Sequence, residues 1–139
     1  MTPVNIKRVV LAGLLAGVVY NVGGITIATI LDLEAAFTRF GWGPTAAAAF
    51  IHLGIRFGLG IVSVYLYAAI RPRFGPGPTT ALRAAGLIWL TAYVPGTLVL
   101  MELGLFTGSA TAIELAWGLV EAGLATTLGA WAYREAPPL

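Results

Sequence analysis

The sequence predicts an all-α membrane protein, a four-transmembrane-helix bundle that forms a single domain over residues 1–139. Only 10% of its 139 residues are charged and 58% are hydrophobic, whereas an ordinary soluble domain is about 25% charged. A soluble protein of this length cannot bury so much apolar surface, because a small domain has too much surface for its core. Lipid is therefore the expected solvent, and the lipid bilayer is the first expected partner.

Four segments have the length and composition of transmembrane helices. A hydrocarbon core of about 30 Å takes roughly 20 apolar residues, each adding 1.5 Å of helix. The predicted spans are residues 9–31, 46–70, 84–106 and about 112–133. The connections between them contain helix breakers, including the stretches Gly41-Trp42-Gly43-Pro44 and Gly75-Pro76-Gly77-Pro78.

The basic residues beside the spans predict the orientation. Lysine and arginine concentrate on the cytoplasmic side of membrane helices. Six basic residues flank one side, and only Arg39 flanks the other. The six are Lys7, Arg8, Arg71, Arg73, Arg83 and Arg134. Both termini and the loop of residues 71–83 are therefore expected to be cytoplasmic.

A faint internal repeat suggests two repeated helical hairpins. The stretch "AGLLAGVVYNVGG" from Ala12 matches "AGLIWLTAYVPGT" from Ala85 at Ala-Gly-Leu, at the tyrosine and at a glycine. The stretch "IRFGLG" matches "VEAGLA" and aligns Arg56 with Glu121. Duplication of an ancestral hairpin would produce this pattern. Apolar helices also match one another by chance, so both explanations stay open.

Glycines are spaced along the first two spans in a way typical of helix contacts. Small residues let helices in lipid approach closely and associate. The candidate packing positions are Gly13, Gly17, Gly24, Gly54 and Gly58. We expect them to support packing between helices, and association of the chain with itself or with a larger membrane complex.

Counting helical rise from the cytoplasmic ends places the polar residues in two layers. Asn21, Arg56 and Glu121 fall about 18 to 21 Å deep, within the hydrocarbon. An arginine near mid-bilayer costs roughly 3 kcal/mol on insertion scales and should find a partner. We expect Arg56 to pair with Glu121 and to receive further hydrogen bonding from Asn21. The layer is either a neutral lock between helices or a relay for protons or substrate.

A second polar layer lies near the outer interface, about 27 to 29 Å deep. It contains His52, Glu102 and Glu114. Thr111 and Glu114 have the spacing of a capping box, which would place Glu114 at a helix start, and Glu102 can reach interfacial water. The alternative is a site for protons or a divalent cation, or an axial histidine for haem or a chlorophyll-type pigment. One histidine with two carboxylates is a weak metal pattern, so we expect no metal and no cofactor.

A proline interrupts the third span. Pro95 lacks the N–H group that would complete the helical hydrogen-bond ladder. We therefore expect a helix kink at Pro95, with a freed carbonyl group facing the bundle.

Three stretches resemble a group of small bacterial four-span membrane proteins of unknown function. They are "AGLLAGVVYN", "YAAIRPRFGPGPTTA" and "WGLVEAGLATTLGAWAYRE", and the likeness covers most of the chain. The resemblance implies a multi-pass protein of the bacterial inner membrane and implies no activity. Members of that group often carry an acidic residue soon after the asparagine. This chain has Gly23-Gly24 there, which implies that any site at that place is altered.

These features favour a non-enzymatic integral membrane protein that associates through glycine-rich helix faces. Ser63 and Ser109 are the only serines and neither is near His52 in sequence, so no nucleophile–base–acid arrangement is visible. The alternatives are a small transporter or channel that uses the Asn/Arg/Glu layer, and a cofactor-binding membrane subunit that uses His52. No basic run suits a nucleic acid, so no nucleic-acid partner is expected.

Overall fold

The computed structural model describes residues 4–43 and 45–133, and every regular element in these ranges is a helix. Pro44 and Arg134, which contribute to the loop and orientation predictions, lie outside the described residues. The helices, in chain order, are α1 (Ile6–Ile30), α2 (Leu33–Arg39), α3 (Ala46–Phe74), α4 (Pro78–Glu102) and α5 (Gly108–Ala132). Helix α2 is a short connection, and the other four are long.

Three of the long helices, α1, α3 and α4, are long and apolar enough to cross a membrane. Their most apolar windows have mean hydropathies of 1.9, 1.7 and 1.6. Helix α5 has the same length as α1, 25 residues, but Glu114 and Glu121 lower its apolarity and it is not one of the three. The structure thus supports an all-α membrane protein with three clear candidate spans.

The helix starts are set by side chains that accept hydrogen bonds from the first turn. Asn5 accepts from the backbone N–H of Arg8, and Thr45 accepts from that of Ala48. Such caps satisfy N–H groups that have no partner within the helix.

The capping box predicted for the last helix is wrong. Thr107, in an extended backbone conformation, caps α5 by accepting from the N–H of Ala110. Thr111 lies inside the helix, where its hydroxyl donates to the carbonyl oxygen of Thr107. Because Thr107 takes the cap one turn earlier than the sequence predicts, Glu114 is in the second turn of α5 and has no capping role.

Glycines bring the backbones of α1 and α3 into direct contact. A Cβ atom at Gly60 would lie 2.8 Å from the Cα atom of Gly17, and one at Gly13 would lie 2.9 Å from the backbone nitrogen of Ile61. Gly54 and Gly58 are on another side of α3, where a Cβ atom would have no described atom within 4 Å. These two glycines therefore take no part in packing within the described chain.

Substitution of Gly17 by leucine should push α1 away from α3. A Cβ atom there would lie 2.9 Å from the Cα atom of Phe57, and a helix backbone cannot move aside without opening the interface. We expect a lower unfolding temperature of the purified protein in detergent. Gly86→Leu is the control, because no described atom lies within 4 Å of a Cβ at that position. Equal unfolding temperatures for the two variants would contradict the α1–α3 contact.

Helix α4 contains a π-helical segment, Trp89–Tyr93, directly before Pro95. The N–H group of Val94 donates to the carbonyl oxygen of Trp89, five residues back. The irregularity thus precedes the proline, and the helix continues beyond it to Glu102. Since a proline cannot donate to the carbonyl four residues earlier, a wider turn just before it accommodates the missing bond. The extra residue in this turn alters which side chains of α4 face α5.

Candidate functional site

An ion pair between α3 and α5 forms the centre of the candidate site. Nη1 of Arg56 lies 3.0 Å from Oε1 of Glu121, and the two side chains are 14% and 1% exposed. The same nitrogen donates to the backbone carbonyl oxygen of Tyr20 on α1, at 2.5 Å. One guanidinium nitrogen therefore connects three of the four long helices.

Two tyrosines extend this ion pair across the bundle. The hydroxyl of Tyr93, at the end of the π-helical segment, donates to Oε2 of Glu121, so both carboxylate oxygens are occupied. The ring of Tyr93 stacks on that of Tyr20 with centroids 6.5 Å apart. The Tyr20 hydroxyl shares a hydrogen bond of 2.9 Å with Ser63. We call these five residues (Tyr20, Arg56, Ser63, Tyr93 and Glu121) the Arg56 cluster.

Two adjacent glycines of α1 provide the space for the ion pair. A Cβ atom at Gly23 would lie 2.7 Å from Cδ of Glu121, and one at Gly24 would lie 2.5 Å from Nη1 of Arg56. Trp117 of α5 donates to the carbonyl oxygen of Gly23 at 3.1 Å. An acidic side chain at either glycine would overlap the ion pair. Glycine at these two positions therefore makes room for the ion pair.

Asn21 lies near Arg56 but does not bond to it. Its Nδ2 atom donates to the carbonyl oxygen of Gly17, one turn earlier on the same helix, at 2.8 Å. Asn21 and Arg56 line one cavity together. The hydrogen bond expected from Asn21 to Arg56 is instead supplied by the backbone of Tyr20.

Arg56 keeps unused hydrogen-bond donors. Both of its hydrogen bonds within the described chain use Nη1. A guanidinium has five N–H groups in a planar fork, so Nε and Nη2 donate to no group in residues 4–43 or 45–133. These two nitrogens form the edge that pairs with carboxylates through two parallel hydrogen bonds.

Two cavities meet at Arg56. The α1–α3 cavity, of about 390 Å³, is lined by Asn21, Gly24, Ile25, Ala28, Ala49, Phe50, His52, Leu53 and Arg56. The α3–α4–α5 cavity, of about 430 Å³, is lined by His52, Ile55, Arg56, Leu59, Ala92, Tyr93, Gly96, Thr97, Leu100 and Glu114. Both have mainly apolar walls with a few polar groups, as is typical of ligand sites.

Glu114 contributes an unsatisfied acceptor to the α3–α4–α5 cavity. Its Oε2 atom is buried and has no hydrogen-bond partner in the described part of the chain. Buried carboxylate oxygens are almost always hydrogen-bonded, because losing water without replacement is costly. This atom is therefore open to a donor from outside the described residues.

The predicted outer layer does not come together as one cluster. His52 is exposed on α3 and lines both cavities, whereas Glu102 is exposed at the end of α4 and lines neither of them. Among the described residues, no group of three His, Cys, Asp or Glu side chains could hold a metal ion. His52 and Glu114 instead share the α3–α4–α5 cavity with Arg56.

Sequence reasoning missed Tyr20, Tyr93 and Gly23 as site residues. The repeat was the available signal, because it aligns Tyr20 with Tyr93 and Arg56 with Glu121. In the structure the first pair stacks and the second forms the ion pair.

Comparisons with known protein families, with curated proteins and with solved structures found no match.

Proposed function

We propose that this chain is a small transporter of the bacterial inner membrane with four spans and cytoplasmic termini. Helix α5 packs along α1 and α4 and equals α1 in length, which supports a fourth span. The split of basic residues supports the orientation, and the resemblance to bacterial four-span proteins supports the location. The solute binds at the Arg56 cluster, within the bundle.

The unused donors of Arg56 carry this proposal. A guanidinium that served only to lock helices together would have its N–H groups taken up by protein acceptors, because unsatisfied donors are expensive in lipid. Arg56 uses Nη1 alone and lines two cavities. Those free donors favour the transporter over the purely structural pair. The side chains of the cluster hold one another in place and offer binding groups rather than a reactive one.

Cysteine accessibility tests the proposal directly, because the chain has no native cysteine. Leu100 lines the α3–α4–α5 cavity, and Leu98 on the same helix is 43% exposed on the outside of the bundle. In intact cells, a charged thiol reagent that cannot cross membranes should modify Leu100→Cys and leave Leu98→Cys unmodified. Thr79→Cys, in the first turn of α4 and within the segment 71–83 proposed to be cytoplasmic, should react only after the cells are opened.

Each arm of this experiment can contradict a different part of the proposal. Equal protection of Leu100→Cys and Leu98→Cys would mean that the cavity is closed to water and cannot admit a polar solute. Modification of Thr79→Cys in intact cells would reverse the orientation.

Self-association is a second candidate function, and one observation favours it. Gly54 and Gly58 have the small-xxx-small spacing of membrane helix pairs, and they face open space beside exposed Ile51, Ile55 and Val62. A second copy packed on this face would let two α3 helices approach closely. Gly58→Leu should then shift the elution volume of the purified protein toward the monomer, and an unchanged volume would count against this candidate.

A further inference from the structure

The α3–α4–α5 cavity has an unpaired acceptor and unpaired donors on different helices. Oε2 of Glu114 on α5 is buried without a partner in the described chain, and Arg56 on α3 has Nε and Nη2 unused there. Both residues line this cavity, yet they do not bond to each other. A ligand between them would need a hydrogen-bond donor for Glu114 and an acceptor for Arg56, and a cationic donor with an anionic acceptor would give the strongest bonds to these two charged side chains.

The rest of the cavity wall is mainly apolar. Ile55, Leu59, Ala92 and Leu100 contribute hydrocarbon surface, and Gly96 leaves space along α4. The volume of about 430 Å³ lies within the range of small-ligand sites. The wall therefore suits a ligand whose two charged groups are attached to a hydrocarbon group.

Resting on the proposed transport function, we propose that this cavity binds a small zwitterion with an apolar side chain, such as an aliphatic α-amino acid. Its ammonium group donates to Oε2 of Glu114, and its carboxylate accepts from Nε and Nη2 of Arg56. The apolar side chain packs against the aliphatic wall. Glu121 and the backbone carbonyl oxygen of Tyr20 hold the guanidinium through Nη1, and Tyr93 donates to the Glu121 carboxylate, so these groups leave Nε and Nη2 to the ligand.

Ligands with a single charge fit this cavity less well. An anion alone would pair with Arg56 but would leave the Glu114 oxygen without a donor and add a second negative charge beside it. A cation alone would pair with Glu114 but would stand beside the Arg56 guanidinium with its donors still free. The α1–α3 cavity has no carboxylate in its wall, so it lacks the acceptor that selects an ammonium group.

Three probes of matched shape separate these possibilities. They are L-leucine, 4-methylpentanoate, which lacks the ammonium group of leucine, and 3-methylbutylamine, which lacks its carboxylate. Binding is measured by isothermal titration calorimetry on the full chain in lipid nanodiscs. We expect L-leucine to bind about 10- to 100-fold more tightly than either analogue, the usual loss for an unmatched charged hydrogen bond.

A pair of carboxylate variants locates the binding site. Glu114→Gln keeps the shape of the side chain but removes its charge, and should weaken leucine binding about 10- to 100-fold. Glu102→Gln is the matched control, since Glu102 is exposed and lines neither cavity, and it should bind leucine like the unchanged protein. Equal effects of the two substitutions would overturn the assignment to this cavity.

The outcomes for this inference and for the transport proposal are distinguishable. Equally tight binding of the amine or of the acid would overturn the zwitterion in favour of a cation or an anion. If none of the three probes binds while Leu100→Cys is still modified from outside, the zwitterion is wrong and the transporter stands. If Leu100→Cys is protected, the transporter proposal fails whatever the probes do.

Discussion

Replacing Arg56 or Glu121 alone with leucine should unfold a large share of the protein, and replacing both should restore much of its stability. Each single change leaves one buried charge without its partner, since Glu121 is 1% exposed at its side chain. Loss of one partner of a buried pair costs about 3 to 5 kcal/mol, whereas apolar replacement of both partners is often neutral. The effects of the Arg56 and Glu121 substitutions on the free energy of unfolding should therefore be strongly coupled.

The measurement is a double-mutant cycle on unfolding in detergent, which isolates the coupling when neither single change creates a new contact. Losses that simply add in the double variant would mean that the two charges do not depend on each other. If the double variant folds, it should bind no leucine, because Nε and Nη2 of Arg56 are gone. Retained binding would mean that the cluster is only a lock between helices.

Substitution of Gly23 or Gly24 by alanine should disrupt the same pair from α1. A methyl group at Gly23 would overlap the Glu121 carboxylate, and one at Gly24 would overlap the Arg56 guanidinium. The displaced charges then lose their partner in a buried site, so we expect a loss approaching that of the single charge deletions, about 3 kcal/mol. Gly58→Ala, where a Cβ atom meets nothing described within 4 Å, should change the unfolding free energy little.

The cause of this loss can be verified by combining substitutions. In the Arg56→Leu/Glu121→Ala background the carboxylate that Gly23 makes room for is absent. Gly23→Ala should then cost much less than it does in the unchanged protein. A cost that stays the same in both backgrounds would mean that Gly23 is required for close packing against Trp117 and not for the ion pair.

The sequence was sufficient to predict the helical class and the meeting of Arg56 with Glu121. Residue rise along a helix is fixed, so counting from the helix ends compares the depth of side chains on different helices. A guanidinium in lipid must find an anion, and Glu121 was the candidate at the same depth. Depth and charge together were enough to select this contact.

The rotation of each helix was harder to predict, because apolar residues occur on all sides of a membrane helix. The sequence therefore did not distinguish Gly17, which contacts α3, from Gly58, which faces open space. Tyr93 was missed for a related reason. The π-helical segment that ends at Tyr93 changes the register of α4, and regular helical spacing does not predict that change. The capping role predicted for Glu114 is wrong because Thr107 caps α5 one turn before Thr111.

The ion pair also distinguishes the two halves of the chain from each other. Positions aligned by the repeat face each other in the bundle, and one half supplies Arg56 while the other supplies Glu121. If either half paired with a copy of itself, two guanidiniums or two carboxylates would meet at the centre, and like charges there repel strongly. A half paired with its own copy would therefore be destabilised by like charges, whereas the two different halves bring opposite charges together.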